Sequence, residues 1–368
     1  MPLDADALLS GPRGRRLCLE AATGDGNVAP TAGELRTLVR QAAHEFEPDS
    51  GQSARYLTSS SRWSLHWGSP TLEPAWTFEH LHDRLAATRL RLDPAAMLES
   101  LSQTVDRAMY WQPPDGEDVL AASPELADAL RGIARQVLDH PAASWWADPL
   151  DSDSQRVVHH TAHQGGAAAR PAAEALSVWR EETLATERRA QRDTPRDPAA
   201  SFSGDWWSAP VSVVTSSTRD LGEAGPVGLH LVEDRFGWER ALVLPLEVTP
   251  TSTYELDGPD AWAELCHRFP LEVTASRRHD WYRVTGWDSE WVIPDWSAVA
   301  REYDAVHLSL AGYLTTAGRG IPLTETHSTV LAGWDPDQTY WLRDVDPDAS
   351  RAERWHRTDE NDAWRRMP

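Results

Sequence analysis

The chain contains no lysine: all 35 of its basic residues are arginine. Without lysine there is no Schiff base, so pyridoxal phosphate enzymes and lysine aldolases are excluded. The same absence removes the lysines of the Walker A loop and of the kinase strand, and with them the usual phosphoryl-transfer machinery. Isoleucine is scarce too, at Ile133, Ile293 and Ile321 only, and both scarcities fit the codon bias of a GC-rich genome. Two cysteines, Cys18 and Cys266, cannot build a disulfide framework or a Cys-rich zinc site. No apolar run approaches the ~20 residues of a membrane span. The first residues, Met1-Pro2-Leu3-Asp4-Ala5-Asp6, lack the basic-then-apolar pattern of a signal peptide, so the expected location is the cytoplasm. There is no G-x-G-x-x-G, no G-x-S-x-G and no Cys–His zinc spacing.

What is present is acid and tryptophan. Net charge is −22, which repels phosphate backbones and anionic membranes and leaves a small-molecule ligand as the expected partner. Hydrophobic residues at 40% and charged residues at 25% are ordinary globular proportions, and 368 residues suffice for two domains. Tryptophan is the anomaly: ten of the 19 lie beyond residue 237, where they either fill a core poor in Ile and Phe or offer ring faces to a ligand.

Periodicity predicts an α+β chain, with a helical N-terminal region followed by a mixed, mostly antiparallel sheet domain with short helices. Thr31-x-x-Glu34 reads as a capping box, Asp93-Pro94 and Ser123-Pro124 as helix starts, and Pro171 opens a helix to about Arg192. The breaker-rich Asp193–Pro198 divides a helical domain, 1–192, from a Trp-rich α+β domain, 200–368.

Four constellations could carry chemistry. Arg277-Arg278-His279-Asp280-Trp281-Tyr282-Arg283 sets three arginine forks beside aromatic rings, a pattern suited to an anionic ligand; Arg219 is a second anion candidate, and Trp281 or Trp287 would stack. The alternative for these arginines is pairing with the abundant acids. In Val306-His307-Leu308-Ser309-Leu310, a strand would point His307 and Ser309 to one side, making His307 the acid–base or positioning group. His159 and His163 have the i, i+4 spacing of metal ligands on a helix, without the Glu of His-Glu-x-x-His, so a solvent-exposed cluster is the alternative. The triplets Gly286-Trp287-Asp288 and Gly333-Trp334-Asp335 read as turns.

The stretch from Trp206 to Leu342 resembles Trp-rich proteins of GC-rich actinobacteria. Val214-Thr215-Ser216-Ser217-Thr218-Arg219, Tyr254-Glu255, the Trp262 helix, and Pro294-Asp295-Trp296 leading into Tyr303–His307 are also similar in layout to ADP-ribosyltransferases. That resemblance implies a split α+β domain holding NAD in a cleft. The chain departs from the family's catalytic motifs: Ser216-Ser217-Thr218 directly precedes Arg219, and His307 stands where an acidic motif belongs. No catalytic residue follows from the resemblance.

The expectation is an enzyme acting on a nucleotide-bearing or anionic aromatic ligand, with NAD as the cofactor and a transferase reaction. In it Arg219, Arg277, Arg278 and Arg283 hold the anion, Trp281 or Trp287 stacks, and His307 moves the proton. Two other readings stay open: a non-catalytic interaction protein with a Trp-lined surface, and a metal hydrolase built on His159, His160 and His163.

Overall fold

The computed structural model describes residues 3–47, 76–160, 170–235, 237–359 and 362–368. Seven α-helices come first: α1 (Ala5–Ser10), α2 (Pro12–Thr23), α3 (Ala32–Phe46), α4 (Phe78–Ala87), α5 (Pro94–Asp106), α6 (Gly116–Ala121) and α7 (Ala127–Leu138). Then follow β1 (Gln155–His160), α8 (Ala172–Asp193), β2 (Ser216–Arg219), β3 (Arg240–Pro245), β4 (Thr253–Leu256), α9 (Pro259–Arg268), β5 (Pro270–Glu272), α10 (Thr274–Thr285) and β6 (Glu290–Pro294). The chain continues through α11 (Trp296–Val299), β7 (Ala305–Leu308), α12 (Leu310–Thr316), β8 (Ile321–Pro322), β9 (His327–Thr329), β10 (Thr339–Trp341), β11 (Glu353–His356) and β12 (Arg365–Arg366). The fold is α+β, helices first and sheet second. No helix among the described residues is long and apolar enough to cross a membrane.

The larger sheet has the order β12-β11-β3-β1-β2-β10-β7-β4, and the smaller the order β5-β6-β9-β8. Only the β4–β7 and β6–β9 pairs are parallel, among the described strands. β1 lies inside the larger sheet, antiparallel to both β2 and β3, although it belongs to the stretch whose sequence texture is helical.

Local chemistry explains the helix starts. Asp93 accepts a hydrogen bond from the Ala96 N–H at 2.8 Å, with Pro94 at the first helical position of α5. The expected capping box at Thr31 does not form. Thr31 has φ −96° and ψ −4°, not the extended backbone a cap needs, and Glu34 pairs with Arg84 of α4 instead. The start of α10 is capped from another element: the buried Glu187 carboxylate of α8 accepts from the N–H groups of Ala275 (2.9 Å) and Ser276 (2.8 Å). Gly286 ends α10 at φ 73°, and Gly333 has φ 74°, so both Gly-Trp-Asp triplets use a left-handed glycine.

Tryptophan builds much of the core. Trp262, Trp296 and Trp334 pack on one another with ring centroids 5.5 to 6.4 Å apart, and Trp281 meets Trp291 edge-on at 5.3 Å. Most of their N–H groups find acceptors: Trp262 on Thr329 Oγ1 (3.1 Å), Trp281 on the Trp206 carbonyl (3.0 Å), Trp296 on the Ser208 carbonyl (3.0 Å) and Trp334 on the Gln338 carbonyl (3.0 Å), while the Trp291 N–H is buried without one. The helical region docks on the sheet region through α2 and α12. There the backbone at Gly11 comes so near that an added Cβ would lie 2.4 Å from the Leu314 carbonyl oxygen.

Candidate functional site

Strand register sets four polar residues in one row: Ser217 on β2 opposite Thr339 on β10, Thr339 opposite His307 on β7, and His307 beside Glu255 on β4. His307 Nδ1 lies 2.6 Å from Glu255 Oε2, and its Nε2 lies 3.4 Å from Asp337 Oδ1. Asp337 holds a left-handed backbone, φ 57°, in the turn before β10. Its Oδ1 accepts from Arg219 Nε at 2.6 Å and its Oδ2 from the Arg219 N–H at 2.8 Å. The Arg219 guanidinium lies over Trp145, 5.0 Å from the ring centroid, and donates to the Pro149 carbonyl at 3.1 Å.

This network couples two cations to two carboxylates. Burial opposes the His307 charge, but the hydrogen bonds it donates to Asp337 and Glu255, with their negative charges, outweigh it and raise the imidazole's pKa. The His307 and Asp337 side chains are each 1% exposed, and the segment 148–150 bonds to their partners, its carbonyls accepting from Arg219 and the Leu150 N–H donating to Glu255 Oε1 at 3.1 Å. Ser309 is not on the strand. Its hydroxyl caps α12 by accepting from the Gly312 N–H at 3.0 Å, so it does not share a face with His307. Sequence singled out both Arg219 and His307; the structure joins them through Asp337, which it did not single out.

The arginines of 277–283 lie on α10 and serve other contacts. Arg277 is buried, 3.2 Å from Asp205, and donates to the Trp207 carbonyl at 3.2 Å; burial pushes its pKa down. Arg283 donates to the Trp111 carbonyl at 2.9 Å, to Asp280 Oδ1 at 2.6 Å and to the Phe202 carbonyl. Arg278 is half-buried and reaches the Pro195 carbonyl at 3.3 Å. Trp281 is fully buried. These groups tie the 195–207 segment to α10, and none shares a bond with the His307 network.

Trp287 is different. It is 41% exposed and stands at a cleft of about 740 Å³ where α2 and the 107–123 segment face residues 284–287 and 318–320. Its ring lies against Gly320, whose added Cβ would be 2.8 Å from Trp287 Cε3. Arginines 13, 15, 107 and 319 line the cleft. Arg13 is neutralised by Asp118, and Asp115 is held by Arg16 at 2.9 Å. Arg15, Arg107 and Arg319 have no carboxylate within salt-bridge reach among the described residues. Arg15 donates to the carbonyls of Leu9 (2.9 Å) and Ser10 (3.2 Å), Arg319 to Ser10 Oγ (3.1 Å), and Arg15 Nε is buried without a partner. Burial lowers the Arg15 pKa, and the neighbouring Arg13 and Arg319 charges add to that against the pull of Asp118. Glu47 also lines the cleft, accepting from the Gly116 N–H at 3.1 Å, and the positive charge left in excess at this concave surface suits an anion.

Behind the cleft, Tyr110 donates to Glu233 Oε1. Burial and the nearby Asp335 carboxylate push Glu233 up to about 8, and burial pushes Asp335 up to about 7, against a 2.9 Å hydrogen bond from the Glu233 N–H. Glu233 therefore keeps its proton near neutrality.

Sequence reasoning missed Arg15, Arg107, Arg319, Tyr110 and Glu233. They stand far apart along the chain, and no local spacing joins them. Of the histidine cluster, His159 and His160 lie on strand β1, not on a helix, and His163 lies outside the described residues. His160 stacks on Trp238 at 4.3 Å and bonds the Gly228 carbonyl at 3.1 Å. No group of three His, Cys, Asp or Glu placed to hold a metal occurs among the described residues. Against known proteins, no family model, no curated sequence and no solved structure matches the chain.

Proposed function

We propose that the chain binds an anionic ligand carrying a flat ring, of the nucleotide class, in the cleft between α2 and the Gly318–Gly320 turn. The observation that carries this reading is the set Arg15, Arg107 and Arg319, with no carboxylate within salt-bridge reach among the described residues, facing the same 740 Å³ cleft as the exposed Trp287. The arginines supply charge and forked donors, and the ring supplies a stacking face. An NAD-dependent group transfer is the most specific form of this reading. In it the proton is held by Glu233 behind Tyr110, because His307 is locked between two carboxylates away from the cleft lining.

Titration with NAD and with ADP, followed by tryptophan fluorescence, tests it. Binding quenches Trp287, and Arg15→Gln weakens affinity about tenfold or more, the worth of a charge-assisted hydrogen bond. An unchanged spectrum at millimolar concentrations of both nucleotides would end this reading. One observation favours a non-catalytic interaction surface instead: Trp206 packs at a tilt against both Trp207 and Trp111, with centroids 4.5 and 5.1 Å apart, and Trp207 is 40% exposed. Glycan or peptide binding that survives Arg15→Gln and vanishes in Trp207→Ala would support that second reading.

A further inference from the structure

A second cleft, of about 1350 Å³, opens on the other side of α6. Its lining mixes six arginines with seven carboxylates, includes Arg235, Trp145 and Trp364, and shares Arg107 with the first cleft. Arg107 follows the last turn of α5, makes no salt bridge within 4 Å among the described residues, and acts electrostatically on Glu117. Only two arginines among the described residues bury an Nε without a hydrogen-bond acceptor: Arg15, which lines the first cleft, and Arg235, which lines the second. The Arg235 side chain is 9% exposed; its Nη1 donates to Ser102 Oγ at 3.1 Å, and its Nε is salt-bridged to Asp106 at 3.5 Å, too far for a hydrogen bond along the N–H. A buried donor left unmade costs free energy, and a forked cation with a spare donor on a concave surface is what an incoming phosphate or carboxylate satisfies.

We infer that the two clefts form one groove for a ligand carrying two separate anionic groups, one on the Arg15 side and one on the Arg235 side, with Arg107 between them. This rests on the reading of the first cleft as a nucleotide site and narrows its substrate class. A mononucleotide would satisfy one side only. A dinucleotide with an additional phosphate on a ribose would satisfy both.

NAD and NADP differ by a single ribose phosphate, so the pair makes a direct probe. Fluorescence titrations of the wild-type chain, Arg15→Gln, Arg107→Gln and Arg235→Gln with both nucleotides give the answer. NADP is expected to bind about tenfold tighter than NAD, the worth of one further charge-assisted contact. Arg107→Gln weakens both. One of Arg15→Gln and Arg235→Gln erases the preference, and the other weakens both nucleotides alike. Equal affinity for NAD and NADP in the wild-type chain overturns the two-anion groove while leaving the first cleft's reading intact, and this measurement needs no variant to fold. Loss of affinity in Arg15→Gln with none in Arg235→Gln overturns it in the same way. Failure of both nucleotides to bind overturns the nucleotide reading and this inference together.

Discussion

His307 and Arg219 reach the same oxygen without a hydrogen bond between them: both end on Asp337 Oδ1, at 3.4 Å and 2.6 Å. Asp337 is therefore the counter-charge of two cations from two different strands. Asp337→Ala leaves both cations buried and short of a partner. It should destabilise the fold by about 3–5 kcal/mol in urea unfolding, the range for a broken buried ion pair. A loss under about 1 kcal/mol would show that the network contributes little.

The His307 pKa is raised in the folded state. Its contribution to stability is thus complete below the unfolded value of about 6.5 and is lost as pH rises through the folded value. His307→Gln should lose more stability at pH 6 than at pH 9. The comparison is made between urea midpoints of wild type and variant at the two pH values, and an equal loss at both would refute the charged-imidazole assignment.

Glu233 runs in the same direction for a different reason. Its carboxyl is pushed up to about 8 by burial and by Asp335, so folding favours its protonated form. Stability is highest below the unfolded value of about 4.3 and falls as pH rises toward 8. Glu233→Gln cannot ionise and should level this part of the profile, so the variant gains on wild type above pH 8. A variant that tracks wild type from pH 5 to pH 9 would place the titration elsewhere.

The arginines of α10 separate structure from binding. Arg277 is buried against Asp205, and Arg277→Ala should cost about 3 kcal/mol. Arg278 makes a single 3.3 Å bond near the surface, and Arg278→Ala should stay within about 0.5 kcal/mol. Neither lines the cleft, so nucleotide affinity should be unchanged in both. Thermal unfolding and fluorescence titration measure the two effects separately. A large affinity loss in Arg278→Ala would return the ligand to α10.

Trp334 and Trp287 make the matching aromatic pair. Trp334 is fully buried among Trp262, Trp296 and Tyr340, and Trp334→Ala should cost about 3–5 kcal/mol. Trp287→Ala should cost far less and remove most of the fluorescence change on nucleotide binding. If the quench survives, the stacking ring is a different one.

Fold and site were legible to different degrees. The Asp93 cap, the Pro171 helix start and the α+β order follow from local chemistry, because capping and periodicity act within a few residues. His307 stood out because a polar side chain on an apolar strand is conspicuous, and Arg219 because a forked cation suits an anion. Ser309 misled, since a serine that continues strand alternation is also a good helix cap, and only α12 decides between them. The 277–283 cluster misled because three arginines on one helix say nothing about what packs against them. The cleft was invisible because Arg15 and Arg319 are brought together by the docking of α2 on α12, and nothing local encodes that contact.

β1 is hydrogen-bonded along both edges, to β2 and to β3. Strands β2 and β3 cannot join into one sheet until residues 155–160 have been drawn in from the far side of α8. During synthesis those six residues leave the ribosome before either partner exists and must wait until the chain has been made as far as Pro245. A fragment starting after the Asp193–Pro198 linker would expose two raw strand edges, open to self-association. Supplying a 155–160 peptide in trans should heal them, so the chain is suited to be split into complementing halves there rather than into two proteins.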